Sequence, residues 1–139
     1  NMVVGVFQAF RRRLDVHEAV RFAGALPAGL RSLFVADWDP SQPRVAFCDP
    51  DAIIDEVRSV RAAHNFSPEH AREAVAVALW RNVDRERVTG VLASISPDAL
   101  RFWQVDRQRA DALREVREPL LRHVEDVPGR PGLDPFKGQ

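Results

Sequence analysis

The fold is decided by the stretch LPAGLRSLF, residues 26–34, which Trp38 follows shortly afterwards. A second stretch, ISPDALRFW, residues 95–103, repeats the order of an apolar residue, a proline, Leu-Arg and an aromatic residue. In both stretches an apolar helical segment ends just before the proline, and proline is favoured at the start of the next helix. The two stretches therefore predict pairs of helices joined by short turns.

The residues around these stretches predict an internal repeat. Residues 14–26 align with residues 83–95, and after one inserted residue, Ser96, the two prolines coincide. Self-similarity over this length is typical of folds in which two similar units pack together. We therefore predict an all-α fold in which two related helical units, residues 3–38 and 50–104, form one bundle of about seven to eight helices.

Apolar residues recur at spacings of three and four along most of the chain, which is the period of one helix face. In the second helix this face includes Val16 and Val20, and in the third it includes Leu33, so we expect these side chains to be buried. The helices are predicted to begin at capping or proline signals. These signals are Asp15, Pro27, Asp49-Pro50, Ser67-Pro68, Asp84, Ser96-Pro97 and Asp106.

The length of 139 residues favours one domain. We predict a single helical domain over residues 1–125, whose last helix covers residues 106–125. Residues 126–139 contain three prolines and three glycines, a composition that predicts a flexible tail. The first unit has one predicted helix fewer than the second, so we expect exposed apolar surface on the first helix and a homodimer that covers it.

The charges argue against two classes of partner. Twenty basic and twenty acidic side chains give a formal net charge of zero, whereas a nucleic-acid arm or a membrane-surface patch needs a basic surplus. We therefore predict no nucleic acid and no membrane as a partner. No apolar run reaches the ~18 residues of a membrane helix, and no secretory leader is evident, so we expect a cytoplasmic protein.

The residues that usually carry chemistry form no recognisable pattern. His64 and His70 are six positions apart, which does not match the i, i+4 spacing of helical metal ligands. The single cysteine, Cys48, is followed by Asp49, and a neighbouring carboxylate disfavours the reactive thiolate. The seven glycines are scattered and form no phosphate-binding loop. We predict no catalytic residue, no cofactor and no metal site.

Arginines and tryptophans provide the candidates for an interaction or ligand surface. The run of three arginines that starts at Arg11 suits anion binding, although local ion pairs on a solvated face are the simpler interpretation. Two further arginines recur at matching repeat positions, where contact with a carbonyl or carboxylate at a helix junction is the alternative. The tryptophans either line a pocket or belong to the core. The candidates are Arg11, Arg12, Arg13, Arg31, Trp38, Arg101 and Trp103.

The motif RLxxxEAxxFAxxLPxxxRxLFxxxW, residues 13–38, resembles the first repeat of a bacterial family known as domain of unknown function 2267. The family's Gly-Trp-x-Pro is replaced here by DWDP, residues 37–40. Residues 66–103 resemble the second repeat of the family, and the family's opening helix is missing. The resemblance covers about residues 6–104 and implies an all-helical fold. It leaves the function open.

These observations favour a non-enzymatic helical protein-interaction module. We expect it to self-associate as a homodimer through its first helix, and a different protein partner remains open. The alternative is a helical bundle that binds a small apolar or anionic ligand between its tryptophans and arginines. An enzyme is the least favoured of the three classes.

Overall fold

The structure is a computed structural model that describes residues 2–60 and 70–106. The described residues contain seven α-helices, one 3₁₀ helix (Pro50–Ile53) and no strand, which confirms the predicted all-α fold. The predicted helix 106–125 and the predicted tail 126–139 lie almost entirely outside the described residues, as does the start signal Ser67-Pro68. The helices are α1 (Met2–Arg11), α2 (Val16–Gly24), α3 (Ala28–Val35), α4 (Ile54–Ser59), α5 (Ala71–Asn82), α6 (Arg85–Ile95) and α7 (Pro97–Trp103).

Three of the predicted capping residues cap helices in the structure. Asp15 and Glu18 form a capping box, in which Asp15 Oδ1 accepts the Glu18 N–H at 2.8 Å and Glu18 Oε1 accepts the Asp15 N–H at 2.9 Å. Asp84 accepts the Arg87 N–H at the start of α6. Ser96 Oγ accepts the Ala99 N–H at the start of α7. These contacts satisfy backbone donors that a helix leaves free at its first turn.

The internal repeat stays a prediction, but the N-cap residues align its two copies differently from the sequence, which aligned Pro27 with Pro97. Pro27 is the N-cap of α3 and Ser96 is the N-cap of α7, whereas Pro97 is already a helical residue. Pro27 and Ser96 are as far apart in the chain as the two aspartate caps, Asp15 and Asp84. No insertion is therefore needed to align the helix starts.

Helix α1 is enclosed by the rest of the fold, because it packs against α3, α4 and α5. Gly5 lets α4 approach closely, since a Cβ atom there would lie 2.9 Å from the carbonyl oxygen of Val57. The apolar face of α1 is thus covered within one chain. The homodimer through the first helix was predicted because this face was expected to be exposed. The face is buried, so exposed surface on α1 no longer supports that dimer, which stays a prediction.

Aromatic rings from α1, α2, α3 and α7 form the centre of the core, and the α3 ring is that of Phe34. Phe10 of α1 lies 4.9 Å from Phe22 of α2 and 4.9 Å from Phe102 of α7, measured between ring centroids. Trp103 is fully buried and stacks against Phe22 at 5.9 Å. Such pairs stabilise the fold beyond the area that they bury.

In helix α2, Phe22 faces the core, and the two valines that were predicted to be buried do not. Phe22 is fully buried, while Val16 and Val20 are 43% and 56% exposed. Leu33 of α3 was also expected to be inward and is 39% exposed. These three predictions are wrong. In α2 the larger ring of Phe22 buries more apolar area than a valine and faces the aromatic cluster, and in α3 the ring of Phe34 takes this place. No described helix is long and apolar enough to cross a membrane.

Candidate interaction site

The site begins with a buried arginine at the end of α1. Arg11 Nη1 donates to the carbonyl oxygens of Phe34 at 2.6 Å and of Ala36 at 3.1 Å. Both carbonyls belong to the C-terminal end of α3, where backbone acceptors lack partners within the helix. A cation there also interacts favourably with the helix dipole. Arg11 therefore ties the end of α1 to the end of α3.

A strained turn follows α3 and positions Trp38. Ala36 has φ −57° and ψ 133°, Asp37 has φ 52°, and the Trp38 N–H donates to the Val35 carbonyl at 3.3 Å. These values describe a type II turn, whose third residue is usually glycine or asparagine. Among the described residues, Asp37 is the one non-glycine residue with a positive φ. The turn brings the Trp38 ring to 5.7 Å from the Arg11 guanidinium, within the range of a cation–π contact.

The segment after Trp38 is held against the end of α1. The Val45 N–H donates to the Arg12 carbonyl at 2.9 Å, and the Phe47 ring lies 6.3 Å from Phe10. Asp39 Oδ1 accepts from the Ser41 N–H at 3.0 Å and from Ser41 Oγ at 2.6 Å, which closes a local turn. The segment therefore has a defined path across the surface without regular secondary structure.

A pocket of about 220 Å³ lies between this segment, the end of α1 and the start of α2. We call it the Trp38 pocket. It is open to solvent, and apolar and charged side chains share its walls. The lining residues are Arg11, Arg12, Leu14, Asp15, Val16, Trp38, Asp39, Pro40, Gln42, Pro43 and Arg44.

The pKa values of three charged groups at the Trp38 pocket are shifted, each for a different reason. Burial lowers the pKa of Arg11, although the nearby charge of Asp37 partly opposes this. The pKa of Asp15 is lowered by the backbone N–H of Glu18, and the pKa of Asp39 is lowered by Ser41. Both carboxylates are therefore charged near neutral pH and already accept hydrogen bonds from their own segments.

Two more arginines stand at the rim of the Trp38 pocket. The Arg12 side chain is 45% exposed and lies 3.4 Å from Glu56. The Arg44 side chain is 61% exposed and lies 3.6 Å from Glu18. Both guanidinium groups are accessible to a binding partner because the arginine side chains are exposed, and ion pairs of this length contribute little stability.

The chain matches one protein family over residues 1–102, described as "Uncharacterized conserved protein (DUF2267)". It belongs to the DUF2267 family. No curated protein matches the chain. The DUF2267 match confirms the family that the motif over residues 13–38 resembles. The match contributes no activity or partner, so the function has to be argued from the residues of this DUF2267 domain.

Arg13, a candidate from the sequence, lies inside this DUF2267 domain and not on its surface. Its guanidinium donates to Glu56 Oε1 at 2.6 Å and to the Ala9 carbonyl at 2.7 Å. The hydrogen bond with Glu56 raises the pKa of Arg13 and lowers the pKa of Glu56. Arg13 Nη2 also lies 3.5 Å from the Cys48 sulfur. Arg13 therefore ties α4 and the segment before it to the end of α1.

The other candidates occupy three separate places. Arg31 donates to the carbonyls of Ala23 and Leu26, both at 3.0 Å, at the junction of α2 and α3. Arg101 lies 3.6 Å from Asp98 on the surface of α7, so the two matching arginines do not share one contact. Trp103 is in the core. Among the candidates, the structure brings together Arg11, Arg12 and Trp38 in the Trp38 pocket.

The sequence interpretation did not identify Arg44, Pro40 and Pro43 as members of this site. Their signal was the irregular, proline-rich stretch that follows Trp38, because binding residues are frequent in ordered loops. No group of three or more metal-ligating side chains that could hold an ion occurs within residues 2–60 and 70–106.

Proposed function

We propose that this DUF2267 domain is a non-enzymatic protein-interaction module that self-associates through α2. The observation that carries the proposal is the exposed pair Val16 and Val20, at 43% and 56% exposure. Residues four positions apart share one face of a helix, so the two valines form one apolar patch. Exposed Gly24 continues this face, and no atom lies within 4 Å of the position that its Cβ would take. Adjacent exposed apolar residues are typical of association surfaces.

A second copy of the chain is the partner that the charges of α2 favour. The helix has an acidic start at Asp15 and a basic last turn at Arg21. Two antiparallel α2 helices would therefore place opposite charges next to each other. The net charge of zero adds no overall repulsion between copies. A bacterial and cytoplasmic setting is part of the same proposal and rests on the sequence features alone.

The acidic groups at the Trp38 pocket support a binding role in preference to a catalytic one. A general acid or base works best with a pKa near the working pH. Asp15 and Asp39 have lowered pKa values and are occupied as helix and turn acceptors. Their hydrogen bonds organise the backbone around the pocket.

Native mass spectrometry of the purified chain tests self-association. We expect a dimer at micromolar concentration, and we expect Val20→Glu to convert it to a monomer because the carboxylate would be buried in the contact. Ala78→Glu is the matched control, since Ala78 is exposed on α5 and carries no such patch. A wild-type monomer, or equal loss of the dimer in both variants, would contradict the proposal.

The alternative function is binding of a small apolar or anionic ligand. It is favoured by the indole of Trp38 and the guanidinium of Arg11 in one pocket of about 220 Å³. The same spectra address it, because a retained molecule adds mass to the protein. A monomer with added mass that disappears in Trp38→Ala would replace self-association by ligand binding as the function.

A further inference from the structure

We propose that the Trp38 pocket binds a glutamate side chain of a partner protein. This site goes beyond self-association through α2, and it rests on the proposed function because it treats the domain as an interaction module. The alternative function, binding of a small anionic ligand, would use the same arginines. The two proposals differ in whether the anion belongs to a protein side chain or to a free small molecule.

The size of the Trp38 pocket indicates one side chain as its occupant. Its volume of about 220 Å³ is below the ~300–1,000 Å³ of most small-molecule sites. Its open mouth lets a polypeptide backbone remain outside while one side chain enters. A protein segment that contributes a single anchoring residue fits this shape.

The apolar part of the lining fits the stem of that side chain. Trp38, Pro40, Pro43 and Leu14 contribute apolar groups to the lining. Val16 lines the pocket as well as the α2 patch, whereas Val20 belongs to the patch alone. Methylene groups of long charged side chains pack on such surfaces while the charged end stays among polar groups. A glutamate has this combination of an apolar stem and a charged end.

The rim supplies the donors for a carboxylate. Arg12 and Arg44 lie 3.4 Å and 3.6 Å from their nearest described carboxylates, which is long for a charge-assisted hydrogen bond. A guanidinium has several N–H donors in one plane and binds a carboxylate with two of them. An incoming glutamate would compete with Glu18 and Glu56 for donors that these two acids hold weakly at the rim.

The buried cation behind the rim favours an anion as well. Arg11 is buried, and its guanidinium is held in place by two carbonyls of the α3 end and by the Trp38 ring. Burial removes water from this charge, so an anion nearby lowers its free energy. The lining holds three arginines and two acids, and the acids already accept hydrogen bonds: Asp15 from the Glu18 N–H, and Asp39 from the N–H and hydroxyl of Ser41. Asp37 is exposed to solvent.

Fluorescence anisotropy with labelled peptides tests the proposal on the full chain. The probe is a peptide of alternating alanine and glutamate, compared with peptides that carry glutamine or lysine instead of glutamate. We expect the glutamate peptide to bind most tightly. Arg44→Gln and Arg12→Gln should each weaken it about fivefold, and the double variant more. Both arginines are exposed, so these variants should fold normally.

Arg101→Gln is the matched control for Arg44→Gln. The Arg101 side chain is 64% exposed and lies 3.6 Å from Asp98, which closely matches Arg44 with its 61% exposure and its 3.6 Å contact with Glu18. We expect unchanged affinity in this control. Equal weakening in Arg101→Gln would show general attraction between charges and overturn the proposal.

Three further outcomes overturn the proposal. Equal binding of the glutamine peptide would remove the carboxylate from the interaction, and tighter binding of the lysine peptide would assign the pocket to cations. Competition by free glutamate at the affinity of the peptide would make the ligand a small molecule. Absence of binding by all three peptides rejects this site, while self-association is judged separately from the native mass spectra of Val20→Glu.

Discussion

The C-terminal ends of α3 and α7 are held by the same kind of contact. Arg11 Nη1 donates to the Phe34 and Ala36 carbonyls at 2.6 Å and 3.1 Å. Arg72 Nη1 donates to the carbonyls of Phe102 and Gln104 at 2.7 Å and 3.0 Å. In each case the two acceptors are separated by one residue, and the arginine comes from another helix. Both arginines are buried.

The surroundings of the two arginines differ. Arg72 lies beside the buried carboxylate of Glu73, with 3.8 Å between the charged groups. Arg11 lies beneath Trp38 and lines an open pocket, and Asp37, the acid that acts on it, is exposed. The shared contact is therefore a structural device for closing a helix end. The Trp38 pocket arises from the chain that follows α3, and it is the site that we propose for a glutamate side chain of a partner protein.

The largest effect is expected when each arginine is replaced by methionine, which keeps an apolar stem without donors. Arg72→Met should lower the free energy of unfolding by about 3–5 kcal/mol, because it leaves two carbonyls and a buried carboxylate without this cation. Arg11→Met should cost about 2–3 kcal/mol, since no buried acid loses a partner. Urea denaturation measures both values. A larger loss for Arg11→Met would show that the two ends are not held in the way described.

A smaller, pH-dependent effect is expected at Glu56, which pairs with Arg13 at 2.6 Å and lies 3.4 Å from the exposed Arg12. Its pKa is lowered mainly by the hydrogen bond from Arg13. A lowered pKa means that the carboxylate stabilises the fold at pH values above its unfolded pKa of about 4.3, and that this stability is lost as the pH falls through the lower, folded value.

Glu56→Gln should therefore lower the free energy of unfolding by about 1 kcal/mol at neutral pH and flatten its fall below about pH 4.3. Urea denaturation at several pH values measures the effect. Asp98→Asn is the control, because Asp98 is 54% exposed in its pair with Arg101 and should leave the acid limb nearly unchanged. An unchanged acid limb in Glu56→Gln would contradict the assigned role of the Arg13 pair.

The smallest effect is expected for the turn at Asp37, which follows the end of α3. Asp37→Gly should be more stable than Asp37→Ala by about 0.5–1 kcal/mol, because glycine adopts the φ of 52° without strain. Both variants remove the carboxylate, so their difference isolates the backbone. Thermal unfolding measures it. Equal stability of the two variants would mean that the turn carries no strain.

Local signals in the sequence predicted much of the helical organisation. The starts of α2, α6 and α7 depend on a capping side chain and on the backbone within four residues of it, so short motifs at Asp15, Asp84 and Ser96 were sufficient. The sequence left Trp103 open between a pocket and the core, and it lies in the core, where large apolar side chains bury most of their area. Trp38, for which the same two places were open, is half-buried and lines the Trp38 pocket.

The positions of the valines and the arginines were not predictable in this way. Val16 and Val20 fit a helical apolar face, but the competition with Phe22 for the core is decided by packing against α1 and α7. Arg13 was expected to pair with nearby acids, whereas its partner, Glu56, is 43 residues away in the chain. Long-range contacts of this kind leave no local pattern.

The sequence by itself determined the helices, their capped starts and membership of the DUF2267 family, because these depend on side chains that are close together in the chain. The tertiary structure decided which arginines are buried and which face solvent, and it assembled the Trp38 pocket from the end of α1, the start of α2 and the segment after α3. The physical reason is that burial and ion pairing depend on distances in space, and those distances are set by how the helices pack on the aromatic core.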